Sequence, residues 1–102
     1  MRDFQRGAVR LHILHHAVEG EIHGAWMTAE LAEHGYSISP GTLYPTLHRL
    51  ESEGLLTSVT RIVEGRQRRI YRATDAGHTA LADDRRALAE LAHEVLGWGP
   101  PQ

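Results

Sequence analysis

Arg66, Arg68 and Arg69 crowd one short stretch, Gly65-Arg66-Gln67-Arg68-Arg69-Ile70-Tyr71-Arg72. Guanidinium groups so arranged suit a polyphosphate backbone, because each phosphate they neutralise releases condensed counterions. The net charge of −2 hides this patch. Residues 40–73 carry +3, whereas residues 1–39 carry −2 and residues 74–102 carry −3. Every basic residue among the Lys+Arg set is arginine, so part of the signal reflects a compositional habit.

Histidine is the other abundant reactive type, with eight copies. His12 and His16 stand one helical turn apart with Glu19 following on the same side, a spacing that can chelate zinc, copper or nickel. A solvated polar helix face explains the same residues, and that is the expected role, so neither metal nor cofactor is anticipated. Catalytic chemistry finds no foothold. The chain has no cysteine, no Gly-rich phosphate loop, no HExxH pair and no Gly-x-Ser-x-Gly elbow, so it is not expected to be an enzyme.

Length and composition bound the rest. One hundred and two residues make one small domain, large enough for a single core but marginal alone, so a partner subunit would help. The lack of cysteine suits the cytoplasm. No stretch approaches the ~18 apolar residues of a membrane span, and a signal-peptide pattern is missing, so a soluble cytoplasmic protein without membrane contact is expected.

The elements that position the arginines follow from periodicity. A first helix is expected from about Gln5 to Val18, with Val9, Leu11, Ile13, Leu14, Ala17 and Val18 on an arc of about 200°. That arc is too wide for one buried face and implies a second contact, most simply another subunit. A second helix should run from His23 to His34, with Trp26, Met27 and Leu31 inward. Ser39 can cap a third helix that has Pro40 at its first position, and Leu43, Leu47 and Leu50 form its inward stripe. Pro45 lies near enough to the start to bend that helix rather than end it. Its outer face then carries Gly41, Thr42, Tyr44, Pro45, His48, Arg49 and Ser52. After Gly54, strands over 55–62 and 67–73 flank the turn Val63-Glu64-Gly65-Arg66, placing Arg66, Arg68 and Arg69 at or near a hairpin tip. Thr74 can cap a last helix running from Asp75 to about Leu96 before Gly97 and the Pro100-Pro101 stop. Leu81, Leu88 and Val95 recur every seven residues along it, with Leu91 and Trp98 in a second register that Asp84 interrupts. The fold class is mainly α with a small β-hairpin: a winged helix-turn-helix over 1–73 and a C-terminal dimerisation helix over 74–102.

These residues resemble the PadR-type transcriptional regulators, and the resemblance covers nearly the whole chain. It rests on His23-Gly24, on Ser39-Pro40-Gly41-Thr42-Leu43-Tyr44-Pro45, on the run from Leu47 through Leu56, and on the run from Arg69 through Gly77. The chain departs at Ala25-Trp26, where the family usually has an aromatic and an acidic residue, and at Ala73, where leucine is common. Its single C-terminal helix is similar to the smaller subgroup.

The resemblance implies a repressor bound to double-stranded DNA, and the wide arc of the first helix together with the seven-residue seam of the last implies a homodimer on a pseudo-palindromic operator. Ser39, Gly41, Thr42, Tyr44, Pro45, His48 and Arg49 would enter the major groove, and Arg66, Arg68 and Arg69 would hold flanking phosphates. Dimerisation is assigned to Val9, Ile13, Leu81, Leu88, Leu91 and Val95. The family also implies a small aromatic effector, for which Trp98 is the candidate pocket residue while Trp26 is expected in the core. The alternatives are a winged-helix protein-interaction module and a metal-responsive regulator using His12 and His16.

Overall fold

The computed structural model describes residues 1–99, so the Pro100-Pro101 stop lies outside the described residues. Four helices and one hairpin follow in the order α1 (Asp3–Glu19), α2 (Gly24–Glu33), α3 (Pro40–Ser52), β1 (Leu56–Val63), β2 (Arg66–Ala73) and α4 (Asp75–Leu96). This is a winged helix-turn-helix with an added C-terminal helix.

Each boundary has a local cause. His23 caps α2 by accepting the Trp26 backbone N–H on Nδ1 at 3.4 Å. Ser39 occupies the N-cap of α3 in extended backbone, and its carbonyl accepts the Thr42 and Leu43 N–H groups, both at 3.0 Å. Pro45 lies within α3 without ending it, as expected. Thr74 Oγ1 accepts the Gly77 N–H at 3.0 Å and so starts α4, while Gly97 in left-handed backbone, φ 71°, closes it.

The hairpin is tighter than the sequence suggested. Val63 pairs with Arg66, leaving a two-residue loop of Glu64 and Gly65, both at positive φ. Positive φ at both central residues matches the right-handed twist of the flanking strands. Ile22, in the α1–α2 connection, adds an antiparallel bridge to the free edge of β2: its N–H donates to the Tyr71 carbonyl at 2.9 Å and its carbonyl accepts the Tyr71 N–H at 2.8 Å. The base of the wing is thereby tied to the helical body.

Leu43, Leu47 and Leu50 of α3 are buried with Ile13, Leu14, Met27, Leu31, Leu56 and Tyr71 in one core. Three residues assigned to dimerisation belong to that core instead. Val9 (4% exposed), Ile13 (0%) and Leu81 (3%) are consumed within their own chain, because the α1 arc divides: its Val9–Ile13 side faces the helical body. Leu88, Leu91 and Val95, farther along α4 than Leu81, are exposed. Trp26 also departs from expectation. It is 43% exposed, since its neighbour Met27 takes the inward position and adjacent helical residues point about 100° apart.

Candidate nucleic-acid interface

The outer face of α3 presents Ser39, Gly41, Thr42, Tyr44, Pro45, His48 and Arg49, all exposed. Tyr44 has a double role. A Cβ on Gly24 would lie 2.6 Å from the Tyr44 Cε1 and Cζ atoms, so the ring leans on the start of α2 while keeping 44% of its surface exposed. The His-Gly pair therefore works as geometry: His23 caps α2 and Gly24 makes room for Tyr44.

Sequence reasoning missed two arginines beside this face. Arg6 and Arg10 of α1 line a groove of about 360 Å³ with Thr42, Thr46 and Arg49 of α3. Arg10 donates to Glu53 at 2.8 Å and Arg6 to Asp3 at 2.7 Å. The signal was present, since Arg2, Arg6 and Arg10 recur every four residues and so share one helical face.

The wing divides its arginines between two faces. Successive strand residues point to opposite sides, and the register pairs Arg61 with Arg68 and Thr57 with Arg72. Arg61, Arg66, Arg68 and Arg72 therefore share one face, and Arg69 lies on the other with Ser58 and Tyr71. Arg69 Nη1 donates to Ser58 Oγ at 3.1 Å, and Ser58 Oγ donates to Glu51 Oε2 at 2.7 Å. Arg69 is thus tied to the C-terminal end of α3 instead of standing beside Arg68 in a single basic finger. Burial pushes the Tyr71 phenol above its ordinary range on this side.

Glu21 is the third missed residue. It sits opposite Arg72 across the Ile22–Tyr71 bridge and accepts hydrogen bonds from Arg61 at 2.8 and 3.0 Å and from Arg72 at 2.7 Å. The hydrogen bonds from Arg61 and then Arg72 hold its carboxyl down at about 2. Arg61 in turn is raised by the same contact. Nothing in the sequence signals this, because the partners lie 40 and 51 positions away.

Histidines gather where α1 meets α2. The His12 and His34 rings are 4.7 Å apart and His12 stacks on His16 at 6.4 Å. Glu30 Oε1 lies 3.4 Å from His16 Nε2 and 3.3 Å from His34 Nε2. Burial, and then the neighbouring imidazoles, lower the pKa of His12. This is a partly buried junction and not the solvated face the sequence suggested. The ligand atoms of His15, His16 and Glu19 fall within 4.8 Å of one another.

An apolar groove of about 460 Å³ separates α1 from α4, lined by Phe4, Gly7, Ala8, Leu11, Leu81 and Leu88 among others. Trp98, 68% exposed, is not among the residues that line it. Among the described residues no helix is long and apolar enough to cross a membrane.

Comparison with known proteins agrees with this architecture. Residues 13–83 match the transcriptional regulator PadR-like family. The chain is 71% identical over 97 residues to transcriptional regulator Rv3488 of Mycobacterium tuberculosis, covering 95% of this chain and 91% of the relative. A PadR family transcriptional regulator from Eggerthella lenta superposes with a TM-score of 0.80 at 33% identity, over 91% of this chain and 82% of that one. Bacillus subtilis PadR, solved in complex with operator DNA, superposes with a TM-score of 0.67 at 29% identity, over 74% of this chain and 45% of that one. These relatives are regulators and not enzymes, and the chain belongs to the PadR-like family of transcriptional regulators.

Proposed function

We propose that this chain is a sequence-specific DNA-binding repressor that acts in the cytoplasm as a homodimer on a pseudo-palindromic operator. The observation that carries this reading is the exposed outer face of α3 from Gly41 to Arg49, flanked by the Arg6–Arg10 groove and by a wing with Arg66 and Arg68 on one side. The relative seen on operator DNA supports it. The α3 N-terminus enters the major groove, where small Gly41 allows close approach and Thr42, Tyr44, Pro45, His48 and Arg49 meet phosphates or base edges. Arg66 and Arg68 hold flanking backbone, while Arg69 braces the wing against α3 and reaches phosphate from the opposite side of the ribbon.

The domain division follows from the same reading: residues 1–73 read DNA and residues 74–102 join two copies. The exposed row Leu88, Leu91 and Val95 on α4 supplies the contact, with the α1–α4 groove as the neighbouring apolar surface. Two-fold pairing requires self-complementary surfaces, and such a row beside such a groove meets that requirement. A small aromatic effector is proposed at this junction, where Trp98 would line the space only once a second chain closes it. Gel retardation on DNA from upstream of the protein's own gene tests the reading. A retarded, salt-sensitive complex is expected, whereas capture of an acidic protein without any DNA shift would favour an interaction module.

A metal-responsive form of the same regulator rests on one observation, the convergence of His15, His16 and Glu19. Two imidazoles and a carboxylate suit a borderline divalent ion such as zinc or nickel. Calorimetric titration of metal-free protein with zinc should give heat at one equivalent that His16→Ala abolishes; no heat removes this form.

A further inference from the structure

The wing face that carries Arg61, Arg66, Arg68 and Arg72 also receives one carboxylate from outside the hairpin, that of Glu21. Arg61 meets it with both terminal nitrogens, at 2.8 and 3.0 Å, and Arg72 meets it at 2.7 Å. Arg68 stands directly opposite Arg61 and Arg66 lies beside the turn, and neither carries an ion pair among the described residues. Two of the four arginines on this face are therefore engaged by one carboxylate, and the other two keep free guanidinium charge.

We propose that Glu21 withholds Arg61 and Arg72 from the DNA backbone, so that this face of the wing engages phosphate through Arg66 and Arg68 and sequence-independent binding stays low. The proposal rests on the DNA-binding reading and names the residue that sets the balance between specific and non-specific affinity.

Three physical points carry it. The bidentate pair that Arg61 makes with Glu21 is directional and charge-assisted, and Arg72 adds one charge-assisted hydrogen bond to the same carboxylate, so both arginines are drawn toward the α1–α2 connection. The bridge between Ile22 and Tyr71 fixes Glu21 beside β2, so the carboxylate is held in place while a phosphate must arrive from solution. Exposed ion pairs add little to folding stability, so conformational stability does not require the clamp, whereas each arginine released to phosphate adds to the counterion term of DNA binding. That term is sequence-independent. An unclamped wing would raise affinity for every duplex and narrow the margin between operator and bulk DNA.

The experiment compares the wild-type chain with Glu21→Gln, which keeps size and an acceptor oxygen but removes the charge. Fluorescence anisotropy across a salt series measures binding to upstream DNA and to an unrelated duplex of equal length. Glu21→Gln should bind the unrelated duplex more tightly, with a log–log salt slope steeper by about one to two units. Adding Arg61→Ala and Arg72→Ala to Glu21→Gln should restore the wild-type slope. A slope left unchanged or made shallower, in a variant that melts like the wild type, overturns the proposal. Arg61→Ala/Arg72→Ala in the wild-type background provides a second arm should Glu21→Gln fail to fold. Its slope should match the wild type, and a fall of about two units would mean that both arginines already touch phosphate, overturning the proposal. Wild-type protein that binds no duplex at any salt overturns the DNA reading and this proposal together; an unmoved Glu21→Gln slope with normal wild-type binding overturns this proposal alone.

Discussion

Gly24 at the start of α2 and Tyr44 on α3 touch so closely that a β-carbon on Gly24 would lie 2.6 Å from two atoms of the Tyr44 ring. The contact locks the angle between the first two helices of the reading head, and it does so through a residue whose exposed edge belongs to the DNA face. Gly24→Ala should destabilise the fold by about 1–3 kcal/mol through overpacking and weaken operator binding as α3 shifts. Tyr44→Ala in the same chain should recover part of the stability, giving a non-zero coupling in a double-mutant cycle. Additive losses by chemical denaturation would show that the contact does not set this geometry.

The two faces of the wing should respond differently. Arg66→Ala and Arg68→Ala should each flatten the salt dependence of DNA binding by about one unit per lost phosphate contact, for any sequence. Arg69→Ala removes the donor to Ser58 and loosens the Ser58–Glu51 tie to α3. It should cost more affinity on the operator than on an unrelated duplex. Equal losses on both duplexes for all three variants would return Arg69 to a plain phosphate contact.

Acidity should weaken the fold through the α1–α2 junction. His12 is held below its ordinary value of 6.5 by burial and by His34, His16 and His15, with Glu30 opposing. Because the folded chain binds this proton less readily than the unfolded chain, the contribution to stability is flat above the unfolded value and is lost as pH falls through and below it. The melting temperature should therefore drop between about pH 8 and about pH 5, and His12→Gln should lessen the drop. An identical pH profile for that variant would exclude His12 as a source.

Core and interface leucines should separate cleanly. Ile13→Ala should cost about 2–5 kcal/mol of folding stability, as expected for a fully buried side chain. Leu88→Glu and Val95→Glu, on the exposed row of α4, should leave the helical spectrum intact while yielding monomers by light scattering. Dimers that persist in both variants would move the subunit contact elsewhere.

The order of elements was legible because each has a local signal: the Leu43–Leu47–Leu50 stripe, Pro40 after Ser39, Thr74 before α4, and the Glu64-Gly65 turn. The opposition of Arg68 and Arg69 was not drawn from the sequence, which grouped them with Arg66 at the tip, although adjacent strand residues must point apart. Other features depend on distance in sequence. Glu21 reaches Arg72 across 51 positions, and no periodicity encodes that pairing. The wide apolar arc of α1 could not by itself say which side meets the chain's own core. Val9 and Ile13 proved internal, and the groove beside Leu11 became the open side. Trp26 looked inward by its type alone, whereas the inward position is filled by Met27.

The central claim is that two copies of this chain grip one duplex through paired α3 faces and wings. Sedimentation of a labelled duplex from upstream of the gene, titrated with protein, tests it most directly. Two chains per duplex are expected, with a second-site footprint about one helical turn from the first and loss of the complex on Thr42→Ala/Arg49→Ala. A monomeric complex, or no complex at any protein concentration, would contradict it.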